Sequence, residues 1–231
     1  EMKKQNKLGP KILGSIPIFS KLSIDVFEGI LNNGHIIVDT RDQLSFAKSH
    51  YSGSLIIQDN NSFSTWAGWM LDYNQPYILV ASEDRINDLT RALIRIGFDN
   101  VSGYVNENDI LNGNGFNINI LKEITAQDLN NDLFEFQIID VRGYSEFEIV
   151  RIPGAINIHA GELERNIEKL DTDKKIVVHC ESGDRSSIAS SFLDRNGLSN
   201  VYNLTCGING WIEAGLPVEK GSSVPLELSS G

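Results

Sequence analysis

Two stretches of this 231-residue chain repeat each other at a nearly fixed distance, and that repeat constrains the fold more than any other feature. Residues 36–57 read IIVDTRDQLSFAKSHYSGSLII, and residues 137–158 read QIIDVRGYSEFEIVRIPGAINI. An offset of 101 carries Asp39 onto Asp140, Arg41 onto Arg142, Phe46 onto Phe147 and Gly53 onto Gly154. Further on, Gly97–Val101 matches Gly197–Val201 at an offset of 100. A period this long is not a solenoid unit; it describes two copies of one domain.

Within each copy, short apolar runs alternate with amphipathic stretches. In the second copy Gln137–Val141, Ala155–Ile158, Lys175–His179 and Val201–Leu204 read as strands. Tyr144–Ile149, Gly161–Leu170 and Arg185–Asn196 read as helical, the last stopping at Gly197. This alternation predicts an α/β fold, with a central parallel sheet flanked by helices in each copy. The expected layout is a lead-in over 1–20, a first copy over 21–104, an Asn- and Gly-rich linker over 105–120, a second copy over 121–220 and a polar tail over 221–231. Glu1-Met2-Lys3-Lys4 is unlike a natural start and reads as the continuation of a longer chain.

Composition narrows the function classes. A net charge of −11 argues against nucleic acid as a partner, because phosphate contacts need clustered Lys and Arg. No apolar run approaches the roughly 20 residues of a membrane span, and no basic-then-apolar leader is visible. The two cysteines, Cys180 and Cys206, form neither a CxxC pair nor a metal set nor a disulfide framework. The expected compartment is a reducing cytoplasm, with Cys180 a free thiol.

The chemistry concentrates in one loop. The strand KIVVH is followed by Cys180, Glu181, Ser182, Gly183, Asp184, Arg185 and Ser186, and then by a helix. A turn entering a helix leaves several backbone N–H groups without intrahelical partners, and the helix dipole adds positive potential there. A thiolate at its centre is therefore stabilised. Gly183 permits the tight backbone, and Arg185 adds a cation with several donors.

The loop resembles the active-site loop of the rhodanese family, Cys-x-x-Gly-x-Arg-Ser. IIDVR followed by YSEFEIVRIPGAINI resembles that family's first box, with Arg151 where a His is usual. NLTCGINGWIEAGLPVE resembles its closing Gly-Gly-x-x-x-Trp box, with Cys206 in place of the first Gly. The resemblance covers about residues 121–219 and implies ping-pong sulfur transfer. Cys180 would take sulfur from thiosulfate or a persulfide and hold it, cradled by the N–H groups of Glu181 to Arg185. A thiol, sulfite or cyanide acceptor would then remove it. Four residues between Cys180 and Arg185 disfavour the related cysteine phosphatases, whose Cys-x5-Arg loop is one residue longer. A sulfur carrier or interaction module without turnover is the other alternative. Glu181 and Asp184 are expected to disfavour a dianionic donor.

The first copy lacks the motif. Its strand YILV runs into Ala81-Ser82-Glu83-Asp84-Arg85, without cysteine. Counting from Ser82 to Gly97 makes its loop about two residues shorter, so the copy resembles an inactive rhodanese domain. Trp66 and Trp69 in SFSTWAGWML read as core or interdomain packing, or as a contact surface for another domain. This segment and MKKQNKLGPKIL resemble fusions of rhodanese domains with a metallo-β-lactamase-like domain, of the persulfide dioxygenase type. The resemblance implies that a non-haem iron belongs to the preceding domain; the four His of this chain contain no HxHxDH run.

Remaining polar residues have structural readings beside functional ones. Arg142 reads as an ion-pair partner near Asp140 and Glu146, and His179 as a strand residue rather than a base. Ser186 either caps the helix or donates to the thiolate. Cys206 either replaces a small Gly or resolves a Cys180 persulfide as a disulfide.

Overall fold

The computed structural model describes residues 19–31, 33–112 and 117–221, side chains of 110–112 excepted. The chain divides into two compact units, Glu1–Leu121 and Lys122–Gly231. The first unit begins with α1 (Ile24–Leu31), β1 (Ile36–Asp39), α2 (Gln43–Lys48), β2 (His50–Tyr51) and β3 (Leu55–Ile56). It continues through α3 (Phe63–Met70), β4 (Tyr77–Val80), α4 (Ile86–Arg95), β5 (Val101–Val105), α5 (Glu107–Asn112) and β6 (Ile118–Asn119). The second contains β7 (Glu123–Ile124), α6 (Ala126–Asn131), β8 (Phe136–Asp140), α7 (Tyr144–Ile149), β9 (Ile156–Asn157) and α8 (Leu163–Asn166). It ends with β10 (Lys175–His179), α9 (Asp184–Arg195), β11 (Val201–Leu204) and α10 (Gly207–Glu213).

Each unit is an α/β structure around a parallel sheet. The order is β3-β1-β4-β5 in the first and β9-β8-β10-β11-β7 in the second. The first four strands correspond one to one, and Lys21 bridges Tyr104 in parallel where β7 pairs with β11. The central strand β4 is fully buried and β10 is buried from Ile176 onward, with an apolar centre in each, as suits strands covered on both faces. In the first unit Phe27, Ile37, Ile78, Val80 and Val105 form a core. In the second, Leu129, Ile138, Ile152, Val177, Leu204, Ile208 and Trp211 do so.

The repeat is repeated in three dimensions. Arg41 Nη2 donates to Asp39 Oδ2 at 2.7 Å and to the Ser49 carbonyl at 2.7 Å. Arg142 Nη2 donates to Asp140 Oδ2 at 2.6 Å and to the Val150 carbonyl at 2.6 Å. Each buried guanidinium thus ties a strand end to the end of the following helix. Arg142 is structural, as its position suggests. Gly97 and Gly197 both end a helix at φ 90°, a left-handed conformation that a glycine adopts without strain.

Four expectations change. The stretch 105–120, read as a linker from its Asn and Gly content, carries α5 and β6. β6 pairs antiparallel with β2, which gives its backbone groups partners; residues 113–116 lie outside the described residues. The helix read over Gly161–Leu170 is broken into a 3-10 turn, the four-residue α8 and a second 3-10 turn. Trp66 and Trp69 do not join the buried face of α3, which sets aside the core reading but not the packing or contact-surface readings. Phe63, Ala67 and Met70 form the buried face of α3, while the two rings meet edge-on at 5.1 Å and Trp69 is 47% exposed. The fourth concerns the first unit's loop. β1 pairs Asp39 with Val80, and β8 pairs Asp140 with His179, so Ala81 rather than Ser82 stands where Cys180 does. Ala81 to Gly97 spans 16 positions against 17 from Cys180 to Gly197, a deficit of one residue, not two. MKKQNKLGPKIL and the polar tail from 222 onward lie outside the described residues. Among the described residues no helix is long and apolar enough to cross a membrane.

Candidate active site

The site forms where β10 hands over to α9, at the carboxyl end of a central parallel strand. Cys180 is buried, and its Sγ accepts the Gly183 N–H at 3.2 Å. Gly183 has φ 113°, a left-handed conformation that turns this N–H back toward the sulfur and starts the helix at Asp184. The Ser186 hydroxyl lies 3.5 Å from Sγ and 3.0 Å from the Gly183 carbonyl, within reach of both, with one proton to give to either. Ser187 Oγ and N also bond the Gly183 carbonyl, at 2.8 and 2.9 Å. The sequence suggests a cradle of amides from Glu181 to Arg185. For the bare thiol, Gly183 is the backbone donor among the described residues, because one sulfur atom is too small to meet every amide of the loop.

The loop is held from behind by α10. Ile208 N donates to the Cys180 carbonyl at 2.9 Å and Asn209 N to the Glu181 carbonyl at 3.1 Å. These are helix N-terminal amides that would otherwise lack partners. Gly207 makes this approach possible: a Cβ there would lie 2.6 Å from the Cys180 carbonyl oxygen and 2.7 Å from Glu181 backbone atoms. Trp211, fully buried and bonded through Nε1 to the Pro217 carbonyl at 2.7 Å, anchors α10 in the core. Cys206 precedes Gly207 with φ 59°, exposed and free, in the conformation that explains why a glycine suits that position.

Arg185 does not point an unengaged cation into the loop. Its Nη1 and Nη2 donate to the two carboxylate oxygens of Glu146 at 2.8 Å each, and Nη2 lies 3.6 Å from Glu181 Oε2. The bond to Glu146 chiefly holds the guanidinium's pKa above its usual value, against the opposing effect of burial. The same bond holds the Glu146 carboxyl below the usual carboxylate range. Glu146 also accepts the Gly143 N–H at 3.1 Å at the start of α7. Sequence reasoning placed Glu146 at a turn but not against Arg185, 39 residues away; only the parallel pairing of β8 with β10 brings them together. Ser182 and Asp184 are exposed.

His179 is fully buried, and burial lowers its pKa, with Asp140 opposing. Its Nδ1 lies 3.2 Å from the Cys180 carbonyl oxygen and its Nε2 3.6 Å from Asp140 Oδ2. The ring belongs to the strand's buried polar cluster, not to the thiol.

Fold and loop together define a class: an α/β unit presenting one buried thiol at a strand-to-helix turn of the Cys-x4-Arg type. Residues 125–214 match the model of the Rhodanese-like domain family. The thiosulfate sulfurtransferase GlpE of Shewanella oneidensis is 36% identical over 78 residues, 34% of this chain and 77% of that protein. The protein YqhL of Bacillus subtilis is 35% identical over 92 residues, 40% of this chain and 73% of that protein. A crystal structure of a rhodanese-related protein from Thermoplasma volcanium is 38% identical, covering 42% of this chain and 97% of that one, with a TM-score of 0.41. The chain belongs to the rhodanese family, through its second unit.

Proposed function

We propose that this chain is a sulfurtransferase that moves sulfane sulfur from thiosulfate or a low-molecular-weight persulfide to a thiophilic acceptor through a Cys180 persulfide. One observation carries the reading: a buried Sγ enclosed by a loop whose glycine N–H and serine hydroxyl both approach it. The similarity to a thiosulfate sulfurtransferase supports it.

The chemistry follows from the atoms present. Cys180, as thiolate, attacks the outer sulfur of thiosulfate. A sulfur–sulfur bond forms to Sγ, the bond to the sulfonate sulfur breaks, and sulfite leaves with the electron pair. Cyanide, sulfite or a thiolate then attacks the outer sulfur of the persulfide, and Cys180 thiolate departs. The loop amides from Glu181 to Arg185 are expected to stabilise the charge on the second sulfur. A reducing compartment, in which Cys180 stays a free thiol, belongs to the same reading.

The first unit fits the role of an inactive rhodanese copy, since it keeps the strand order and the Asp–Arg tie but has Ala81 at the thiol position. The reading extends to a larger protein in which a metallo-β-lactamase-like domain precedes Glu1 and carries the iron. The complete reading frame tests this directly: any other preceding sequence removes it.

The test of the central reading is a donor assay with cyanide as acceptor. Wild-type protein is expected to form thiocyanate repeatedly and to gain the mass of one sulfur atom at Cys180. Cys180→Ser is expected to do neither. A single stoichiometric burst from the wild type would mark a carrier instead, and an unchanged mass would overturn sulfur transfer altogether.

A further inference from the structure

Arg185 is the fixed cation of the loop, and two of its five N–H donors are held by a single carboxylate. Both of its Nη atoms are taken by Glu146 in the parallel two-bond geometry that suits guanidinium and carboxylate best. A second carboxylate, Glu181, stands 3.6 Å away, and Asp184 is exposed on the first turn of the same helix. Glu146 is itself pinned by the Gly143 N–H, so the pair is organised before any substrate arrives. Among the described residues of the loop and its clasp, one cation therefore stands against three carboxylates. An approaching dianion meets a net negative mouth, and the guanidinium it would seek is already shared. The position matching Glu146 in the first unit, at the offset of 101, is Ser45, and that unit has no thiol to serve.

We infer that Glu146 sets the charge of the donor: by holding Arg185 it reserves the site for a low-molecular-weight persulfide of at most one negative charge, in preference to dianionic thiosulfate. The inference rests on the sulfurtransferase reading above. In the favoured reaction Cys180 thiolate attacks the outer sulfur of R–S–SH. The new bond forms to Sγ, the R–S bond to that sulfur breaks, and RS⁻ leaves with the electron pair. The proton stays on the transferred sulfur. Glu146 is a positioning residue here; it acts through Arg185 and touches no reacting atom.

The test compares kcat/KM for thiosulfate and for 2-hydroxyethyl persulfide in wild type and Glu146→Gln, with cyanide as the common acceptor and the uncatalysed rate subtracted. Glutamine keeps the shape and an acceptor for the Gly143 N–H but drops the charge. Wild type is expected to favour the persulfide. In Glu146→Gln the thiosulfate-to-persulfide ratio is expected to rise on the order of ten-fold, mainly through a lower thiosulfate KM. A merely structural role would lower both donors together and leave the ratio where it was. An unchanged or falling ratio, or a wild-type preference for thiosulfate, overturns the inference. If Glu146→Gln fails to fold, Glu181→Gln at its exposed site decides: a smaller rise supports the inference and no rise overturns it. Failure of both donors to load Cys180 in wild type is a separate result that removes the sulfurtransferase reading itself.

Discussion

His179 precedes the thiol by one residue and bonds the Cys180 carbonyl rather than its sulfur. Neighbouring residues of an extended strand point to opposite sides, and His179 falls on the side of Asp140 and Arg142. Burial lowers its folded pKa below the roughly 6.5 of an unfolded histidine. The unfolded chain then binds the extra proton, so the stability this residue contributes is complete above that value and is lost as the pH falls toward the folded pKa. Denaturant unfolding at a series of pH values is expected to show a loss of stability below about pH 6.5 that is smaller in His179→Asn. Equal pH slopes in the two proteins would show that the ring is not held neutral. Arg142 and Arg185, both near the loop, divide along the same line: one staples a strand to a helix end, the other faces a carboxylate at the mouth.

At the scale of elements, the thiol's geometry depends on three pieces that meet end to end: β10, the first turn of α9 and the first turn of α10. The contact of α10 with the loop leaves no room for a methyl group at Gly207, whose φ of 56° also disfavours side chains. Gly207→Ala is expected to cost about 1–3 kcal/mol of stability and to slow sulfur loading of Cys180 in intact-mass time courses. Gly215→Ala provides the contrast. It has φ 70° but nothing within 4 Å of the added carbon, so backbone strain alone should leave loading intact. The strands β10 and β11 were legible to the residue because each has an apolar centre bounded by turn residues. The start of α9 was legible within one residue from Gly183. α5 and β6 were not, because Asn and Gly signal turns regardless of whether the flanking backbone later finds a strand to pair with. The Glu146–Arg185 contact was illegible for a different reason. It spans 39 positions, and no local pattern encodes which helix start faces which.

For the whole molecule, the two units share a strand order and differ at the loop. In the first, Ala81 leads through Ser82 directly into a 3-10 turn at Glu83, with no left-handed glycine before the helix. Its Arg85 is bonded to Asp59 at 2.7 Å and to Asp88 at 2.8 Å. A thiol placed there should lack a donor in the place of the Gly183 N–H. Ala81→Cys in a Cys180→Ser background is therefore expected to gain no sulfur from thiosulfate or persulfide by intact mass. A stable mass gain at the substituted position would show that the cysteine alone separates the two units.

The twin carboxylate–guanidinium staples give the molecule an internal control. Asp39–Arg41 persists in the half that has no nucleophile, so whatever keeps such a staple in place is architecture, not reactivity. The left-handed Gly183 and the Glu146 clasp are confined to the other half, where the proposed sulfur chemistry would sit. One chain therefore presents both arms of a comparison that would otherwise require two proteins.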